Sequence, residues 1–176
     1  CATAMGSRLL RTWLHHPRRD HAVLRARQDS VSALSGGVRP CETLHKQLAH
    51  CADLERICGR IALRSARPRD LSGLRDSLAL LPQLSPLLTP LDSPRLSNLL
   101  DEILVPEGVA DELRRALKDE PATVLREGGV IASGYDADLD ELRAIQENCG
   151  EFLLALETRE RERSGIANLR VEYNRV

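Results

Sequence analysis

Apolar residues recur at intervals of three and four along most of this chain, and that spacing constrains the fold more than any other feature. In the first 15 residues, Met5, Leu9 and Trp13 fall on one helical face. Aromatic residues make up only 2% of the chain, so its core must be built from Leu, Ile, Val and Ala, as in helix bundles. The pattern predicts an all-α fold arranged as a multi-helix bundle.

Capping residues and helix breakers predict where the helices begin and end. Aspartate side chains accept backbone N–H groups at helix starts, and four positions fit that role: Asp20, Asp53, Asp70 and Asp136. Prolines at positions 82, 86, 90 and 94 predict short helical pieces, because proline is tolerated only in a first turn. Further helices are predicted over residues 5–15, 21–35, 41–50, 54–64, 95–104 and 107–118. Residues 124–135, with three glycines, predict an extended loop or a short strand.

The end of the chain predicts one long helix, Asp136 to Ser164, followed by a strand-like run from Leu169 to Val176. An apolar seam from Leu139 to Leu156 is expected to anchor this helix, and the turns after it are charged all round. At about 1.5 Å per residue the element is roughly 40 Å long, so we expect its far end to project. A lone strand leaves its backbone groups unpaired, so we expect the chain to be an excerpt of a larger protein.

Charge and cysteine content narrow the class of protein. Residues 1–70 carry a net charge of +7 and residues 71–176 a net charge of −8, which suits either a basic binding face or solvated helix surfaces. Five cysteines without C-x-x-C spacing predict free thiols in a reducing compartment, with Cys51 and Cys58 as small core residues. No apolar run has the length of a membrane span, so we expect a cytoplasmic protein.

Candidate sites for chemistry all have simpler explanations. The histidines do not have the spacing of zinc ligands, which favours surface or capping roles; they are His15, His16, His21, His45 and His50. The acidic cluster from Asp136 to Glu141 suits a helix start, where carboxylates complement the helix dipole. Gly128–Gly129 lacks the lysine of a phosphate-binding loop. We therefore expect no catalytic, cofactor-binding or metal site in this chain.

Four blocks of sequence carry a more specific signal than periodicity. They are MGSRLLRTWLHHPRRD (5–20), DLERICGRIALRSARPRDL (53–71), REGGVIASGYDADLDELRAI (126–145) and RERERSGIANLRVEYNRV (159–176). In this order they resemble the core, or lever, domain of the MutS family of DNA mismatch-recognition ATPases. Ala4, where the family often has proline, and Cys149–Gly150, within the predicted long helix, depart from what we expect of the family.

The resemblance implies both an organisation and a role. Residues 1–165 would be the first part of the lever domain, and residues 166–176 would begin the clamp that holds DNA. Arg170, Asn174 and Arg175 would then lie closest to DNA in the parent protein, although the residues themselves favour an ordinary strand-surface role for each. The parent protein would be a DNA-dependent ATPase of the bacterial cytoplasm that uses ATP and Mg. It would bind mismatched double-stranded DNA as a homodimer and work with a MutL-type partner.

Two hypotheses of function follow. In the first, this chain is a structural lever that couples an ATPase domain to a DNA clamp and performs no catalysis itself. In the alternative, it is a stand-alone helical scaffold that binds nucleic acid or protein, using basic residues between Arg8 and Arg69. The arginines of that region are spread over several predicted helices, which favours the lever.

Overall fold

The structure, a computed structural model, describes residues 1–36 and 38–171, and for residues 38–40 it describes the backbone alone. That part of the chain is helical and contains no sheet, which confirms the all-α class. Its α-helices are α1 (Ala4–His15), α2 (His21–Ser35), α3 (Val38–Ala49), α4 (Leu54–Ala62), α5 (Pro68–Leu80), α6 (Ser85–Leu88), α7 (Pro94–Glu102), α8 (Val109–Ala116), α9 (Ala137–Glu147) and α10 (Cys149–Ser164).

Three of the four predicted aspartate caps are confirmed. The carboxylates of Asp20, Asp53 and Asp136 each accept a backbone N–H from the first turn of the helix that follows. Asp70 is not a cap, because α5 begins at Pro68 and Asp70 lies inside its first turn. Proline suits a first helical position, since its fixed φ is already helical and its missing N–H has no partner to lose. The Asp70 carboxylate instead accepts the N–H of Arg67, at 2.9 Å.

The predicted loop of residues 124–135 returns to the end of α8 and pairs with it. Leu117 and Ile131 form an isolated antiparallel bridge. The N–H of Lys118 donates to the carbonyl of Val130 at 3.0 Å, and Val130 is buried. Gly128 and Gly129 both have positive φ angles, which a side chain would strain. The segment around Ile131 is therefore extended, in agreement with the prediction, whereas Leu125–Glu127 form a short 3₁₀ turn.

The chain divides into two compact units, Cys1–Ala132 and Ser133–Val176, which we call the core unit and the helix-pair unit. In the core unit, α5 packs against α4 and α8, and α2 packs against α3 and α7. The buried apolar side chains of the described residues all lie there: Ile57, Pro68, Leu78, Leu84, Leu88, Leu96, Leu117, Pro121 and Val130. The core is therefore aliphatic, as the composition predicted.

A buried hydroxyl group fixes the contact between α5 and the segment before α4. Ser77 is fully buried, and its Oγ donates to the carbonyl of Gly73 at 2.7 Å. The same oxygen accepts the backbone N–H of Ala52, at 2.9 Å. A Cβ added to Gly73 would approach Ala52 to 3.2 Å, so a small residue is needed at this crossing. The hydrogen bonds of Ser77 and the small size of Gly73 thus both hold α5 close to the backbone around Ala52.

The prediction of one unbroken helix from Asp136 to Ser164 is wrong. The helix-pair unit holds two helices, α9 and α10, separated by Asn148, whose φ of −107° and ψ of 30° are not helical. Backbone bonding continues on each side, because the Asn148 N–H donates to Ala144 at 3.0 Å and its carbonyl accepts from Phe152 at 3.0 Å. The sequence Asn148-Cys149-Gly150 joins poor helix formers, which explains why the interruption falls there.

The predicted C-terminal strand is not found in the residues that the structure describes. After α10 the chain turns at Gly165, and residues 166–171 form no strand. The remaining five residues of the prediction, 172–176, lie outside the described part of the chain. Without a partner strand, residues 166–171 satisfy backbone groups with side chains of α10, as described below.

Two expectations about burial are also wrong. The apolar seam of the last helices is not buried among the described residues: Leu142 is 63% exposed and Phe152 is 45% exposed. Cys58 is exposed and Cys51 is half-buried, so neither is a core residue. Periodicity identifies the face of a helix that is apolar, but it does not identify what covers that face.

Candidate functional site

The sequence points to the C-terminal end of α10 as the candidate site, since the three predicted DNA-proximal residues follow it. Arg170 is exposed there. Asn174 and Arg175 lie outside the described residues. The structure therefore places one of the three residues and gives its surroundings.

The chain leaves α10 through a turn that α10 itself holds in place. Gly165 ends the helix with a φ of 72°, the left-handed conformation that glycine adopts readily. Arg161 Nε donates to the carbonyl of Leu169 at 2.8 Å. The N–H of Val171 donates to Glu157 Oε2 at 3.1 Å. We call these four residues, Glu157, Arg161, Leu169 and Val171, the helix-end joint.

The two α10 side chains in the joint also pair with each other. Arg161 Nη2 and Glu157 Oε1 are 2.5 Å apart, and the side chain of Glu157 is only 16% exposed. Each side chain thus makes one bond within the helix and one to the segment that follows. Such cross-bonding fixes the direction in which the chain leaves the helix. No feature of the sequence predicted it, because both partners in the following segment are backbone groups.

The last turns of α10 carry charges of both signs, and several of these charges lie close to a partner of opposite sign. Glu160 lies 2.8 Å from Arg163 Nε and 3.8 Å from Arg159 Nε. By contrast, Arg170 has no ion-pair partner in the part of the chain that is described. The guanidinium of Arg170 is therefore available to an external anion.

Ion pairs in the core unit join helices that are far apart in sequence. Arg8, on α1, donates to both carboxylate oxygens of Asp53 at 2.7 Å and to Glu55 on α4. The hydrogen bond from Arg8 lowers the pKa of Asp53 to about 2, and the same contacts raise the pKa of Arg8. Asp53 also caps α4, so a single carboxylate starts that helix and holds it to α1.

A second bidentate pair connects α4 to α5. Arg60 donates from Nε and Nη2 to the two carboxylate oxygens of Asp70, at 2.8 and 2.6 Å. The hydrogen bonds from Arg60 lower the pKa of Asp70. Planar two-point pairs of this kind fix orientation as well as distance. Together with Arg8, this pair makes α1, α4 and the start of α5 one connected set.

A buried arginine connects α5 to the chain after α8. Arg75 is 9% exposed, and its terminal nitrogens donate to the carbonyls of Lys118 and Asp119, both at 3.0 Å. Its Nε donates to the neighbouring Asp76 at 2.8 Å. All three nitrogens of the guanidinium thus have an acceptor, which burial of a charge requires. Sequence reasoning missed this residue, because an arginine on a helix is ordinarily a surface residue.

The described residues contain no group of three or more His, Cys, Asp or Glu side chains that could hold a metal ion. One groove, open to solvent, lies beside α6 and α7 and is lined by residues that include Leu81, Ser85 and Leu100. Among the described residues, no helix is both long enough and apolar enough to span a membrane.

Comparison with known protein families agrees with these features. The family model described as MutS domain III matches residues 1–174, which is almost the whole chain. Domain III is a non-catalytic domain of its family. The match supports a role in DNA mismatch repair and association with DNA. The chain therefore belongs to the MutS family, as its domain III.

Proposed function

We propose that this chain is the lever of a mismatch-recognition ATPase, and that it carries conformational changes between an ATP-binding domain and a DNA clamp. The whole protein would bind ATP with Mg and hold mismatched double-stranded DNA. It would act as a homodimer with a MutL-type partner in the bacterial cytoplasm. The match to MutS domain III supports the family role, and the lever mechanism is argued from the structure.

A lever must keep its form at its base. In the core unit, two-point arginine–carboxylate pairs link α1 to α4 and α4 to α5, through Asp53 and Asp70. Arg75 then ties α5 to the loop after α8. A rotation of any one of these helices must therefore displace the others, because the pairs resist both stretching and twisting.

A lever must also pass its motion to the segment that follows it. The helix-end joint is the observation that carries this proposal. Glu157 and Arg161 hold the exit segment at two points, Val171 and Leu169, rather than one. A single bond would allow the segment to swivel, whereas two bonds a turn apart make it follow the helix.

The interruption at Asn148 gives this lever one defined place to bend. Backbone hydrogen bonds run up to Asn148 and resume from it, so the departure from helical dihedral angles is confined to one residue. Bending of a hydrogen-bonded helix is otherwise resisted along its length. We propose that α9 and α10 change their mutual angle there when the nucleotide changes.

Arg170, Asn174 and Arg175 are proposed as the residues of this chain nearest to DNA. Arg170 supports the proposal because it is exposed and has no ion-pair partner within the described chain. It lies between the two joint residues Leu169 and Val171, so its position would depend on α10. Its expected contact is with the DNA backbone, which arginine binds without regard to sequence.

The experiment replaces Glu157 with Gln in the full-length ATPase that carries this domain. Glutamine keeps the size of the side chain but loses the charge that holds Arg161 and Val171. We expect the stimulation of ATP turnover by mismatched DNA to fall about fivefold or more. A fivefold change corresponds to a loss of about 1 kcal/mol in the coupling free energy between the two sites. Basal turnover without DNA should stay the same.

Glu162→Gln is the matched control, because Glu162 lies on the same helix and is exposed, with no ion-pair partner in the described chain. It should leave DNA stimulation unchanged. If mismatched DNA stimulates ATP turnover of the Glu157 variant as strongly as that of the wild type, while helix content and DNA affinity are normal, the helix-end joint does not couple the two activities.

A further inference from the structure

Among the described residues of the core unit, the turn between α1 and α2 carries the largest cluster of positive charge without ion-pair partners. Five arginines between residues 11 and 27 have no ion-pair partner among the described residues: Arg11, Arg18, Arg19, Arg25 and Arg27. We call this segment, residues 11–27, the basic turn. Its one acidic residue, Asp20, is engaged as the cap of α2. Elsewhere in the described core unit, ion pairs hold Arg8, Arg56, Arg60, Arg75, Arg114 and Arg115. The other arginines there without an ion pair are spread over three places in the sequence: Arg64, Arg67 and Arg69, then Arg95, then Arg126.

A pocket lies within the basic turn and is lined by cationic groups. Arg18 and Arg27 face it, together with His16 and the ring of Trp13. The guanidinium carbon of Arg27 stacks 3.6 Å above the centre of that ring. Stacking uses the face of the guanidinium and leaves its N–H groups, which lie in the plane, free to donate.

One donor of Arg27 is left without an acceptor. Its Nε is buried and has no hydrogen-bond partner among the described residues. A buried donor without a partner costs free energy, about 1–3 kcal/mol, and such groups are rare in folded proteins. An oxyanion bound in the pocket would approach this guanidinium and Arg18 together. The Nε itself is closed to solvent, so an anion in the pocket would be held by the accessible part of the Arg27 side chain and by Arg18.

The surroundings favour a phosphate of the DNA backbone over the phosphate of a free nucleotide. Nucleotide phosphates are commonly held by a helix N-terminus, but at α2 that position is taken by the carboxylate of Asp20, which accepts the N–H groups of Ala22 and Val23. Arg19, which is exposed and follows Arg18 directly in the turn, extends the positive charge beyond the pocket. Positive charge that continues outside one pocket suits a chain of phosphates rather than a single group.

We infer that the basic turn binds the DNA backbone, with one phosphodiester group in the pocket between Arg18 and Arg27. This contact is additional to the clamp and does not depend on the lever mechanism. It is independent of DNA sequence and of mismatches, because the pocket offers donors to phosphate oxygens and no group that would read base edges.

The test measures binding of the 176-residue chain to a labelled, fully paired DNA duplex by fluorescence anisotropy, between about 50 and 200 mM salt. The double variant Arg18→Gln/Arg27→Gln should bind more weakly. The slope of log K against log salt should fall by about 1 to 2, since each lost phosphate contact lowers it by about 0.9. The matched control is Arg114→Gln/Arg115→Gln, which removes the same charge from exposed arginines already paired with Asp111 and Glu112.

A slope that falls equally in both double variants would overturn the site, because the effect would then follow net charge alone. Circular dichroism checks that the helices are intact. Should the Arg27 variant lose its fold, Arg18→Gln alone retains the test, since Arg18 is exposed. Arg18→Lys should keep the wild-type slope, and loss of the slope in that variant would contradict a phosphate contact.

A second arm separates the two sources of phosphate. ATP, or pyrophosphate, is added at constant ionic strength to the complex with DNA. We expect no displacement of the duplex beyond that caused by an equal ionic strength of acetate. Displacement by ATP or pyrophosphate would assign the pocket to free phosphates and overturn the assignment to DNA.

Discussion

The core unit and the helix-pair unit are both built from amphipathic helices, but different interactions hold them. The core unit contains every buried residue of the described chain, and its ion pairs connect α1, α4 and α5. In residues 133–171 of the helix-pair unit no residue is buried, and ion pairs such as Arg143–Asp140 and Arg161–Glu157 lie within one helix. Helices without tertiary packing are marginal at these lengths. We therefore expect the helix-pair unit to be less stable than the core unit.

The strongest way to test this comparison is to truncate one leucine in each unit. Leu78, on α5, is 6% exposed, and Leu142, on α9, is 63% exposed. Leu78→Ala should lower the free energy of unfolding by about 2–5 kcal/mol, because it opens a cavity in a packed core. Leu142→Ala should change it by less than about 0.5 kcal/mol. Urea denaturation followed by circular dichroism measures both values.

A large effect of Leu142→Ala would show that the apolar face of α9 is covered in the isolated chain. The two units would then be equally packed, and the contrast drawn above would fail. Leu142 is 63% exposed, so an aspartate at this position would remain in contact with water. Leu142→Asp therefore tests the lever only if another part of the protein covers this face of α9.

Arg75 tests whether the core unit depends on a buried polar contact. Arg75→Met should lower the free energy of unfolding by about 1.5–3 kcal/mol, because the carbonyls of Lys118 and Asp119 lose a charged donor. Arg115→Met, which removes an exposed partner of Glu112, should cost about 0–1 kcal/mol. Equal costs from urea denaturation would mean that the Arg75 contacts add nothing beyond a surface pair.

Glycine replacements distinguish the two units by the transition that each one changes. A Cβ added to Gly150, in α10, or to Gly59, in α4, would meet no other part of the described chain within 4 Å, and neither glycine has a positive φ. Alanine at either position should stabilise its own helix by about 0.4–1 kcal/mol. We expect Gly150→Ala to raise the midpoint of an early thermal transition and Gly59→Ala to raise that of the main one. Calorimetry measures both, and identical shifts would indicate a single cooperative unit.

The smallest effect concerns pH and the α1–α4 pair. Because the pKa of Asp53 falls from 3.8 to about 2 on folding, its ionised form stabilises the fold above pH 3.8. That contribution should be lost as the pH falls from 3.8 towards 2. Asp53→Asn keeps an N-cap residue but removes the ion pair with Arg8. The stability difference between wild type and variant should shrink over this window, and a constant difference in acid titrations would contradict the assignment.

Local features of the sequence predicted most of the helix boundaries. The caps at Asp20, Asp53 and Asp136 were predictable because a cap bonds to N–H groups only two or three residues away. The four sequence blocks predicted the family, which the match over residues 1–174 shows. The division at Asn148 was predicted only in part. The sequence showed that Cys149–Gly150 departs from the pattern of a continuous helix, but the interruption falls one residue earlier.

Other features were set by contacts between distant parts of the chain. Asp53 was predicted as a cap, but its partner Arg8 lies 45 residues away. Arg75 finds its acceptors 43 and 44 residues later, and the helix-end joint uses backbone groups that carry no sequence signal. Burial was wrongly predicted at Cys58 and Leu142 for the same reason, since helical periodicity says which side is apolar and not what lies opposite it.

By itself, then, the sequence determined the class of fold, the ends of most helices and the family, because each of these depends on residues within a few positions of one another or on their order. Only the tertiary structure decided which ion pairs join different helices, which arginines of the basic turn have no partner among the described residues, and which apolar faces are covered. Those outcomes depend on how the chain returns on itself in space, and an ion pair forms only between groups that the whole fold brings within about 4 Å.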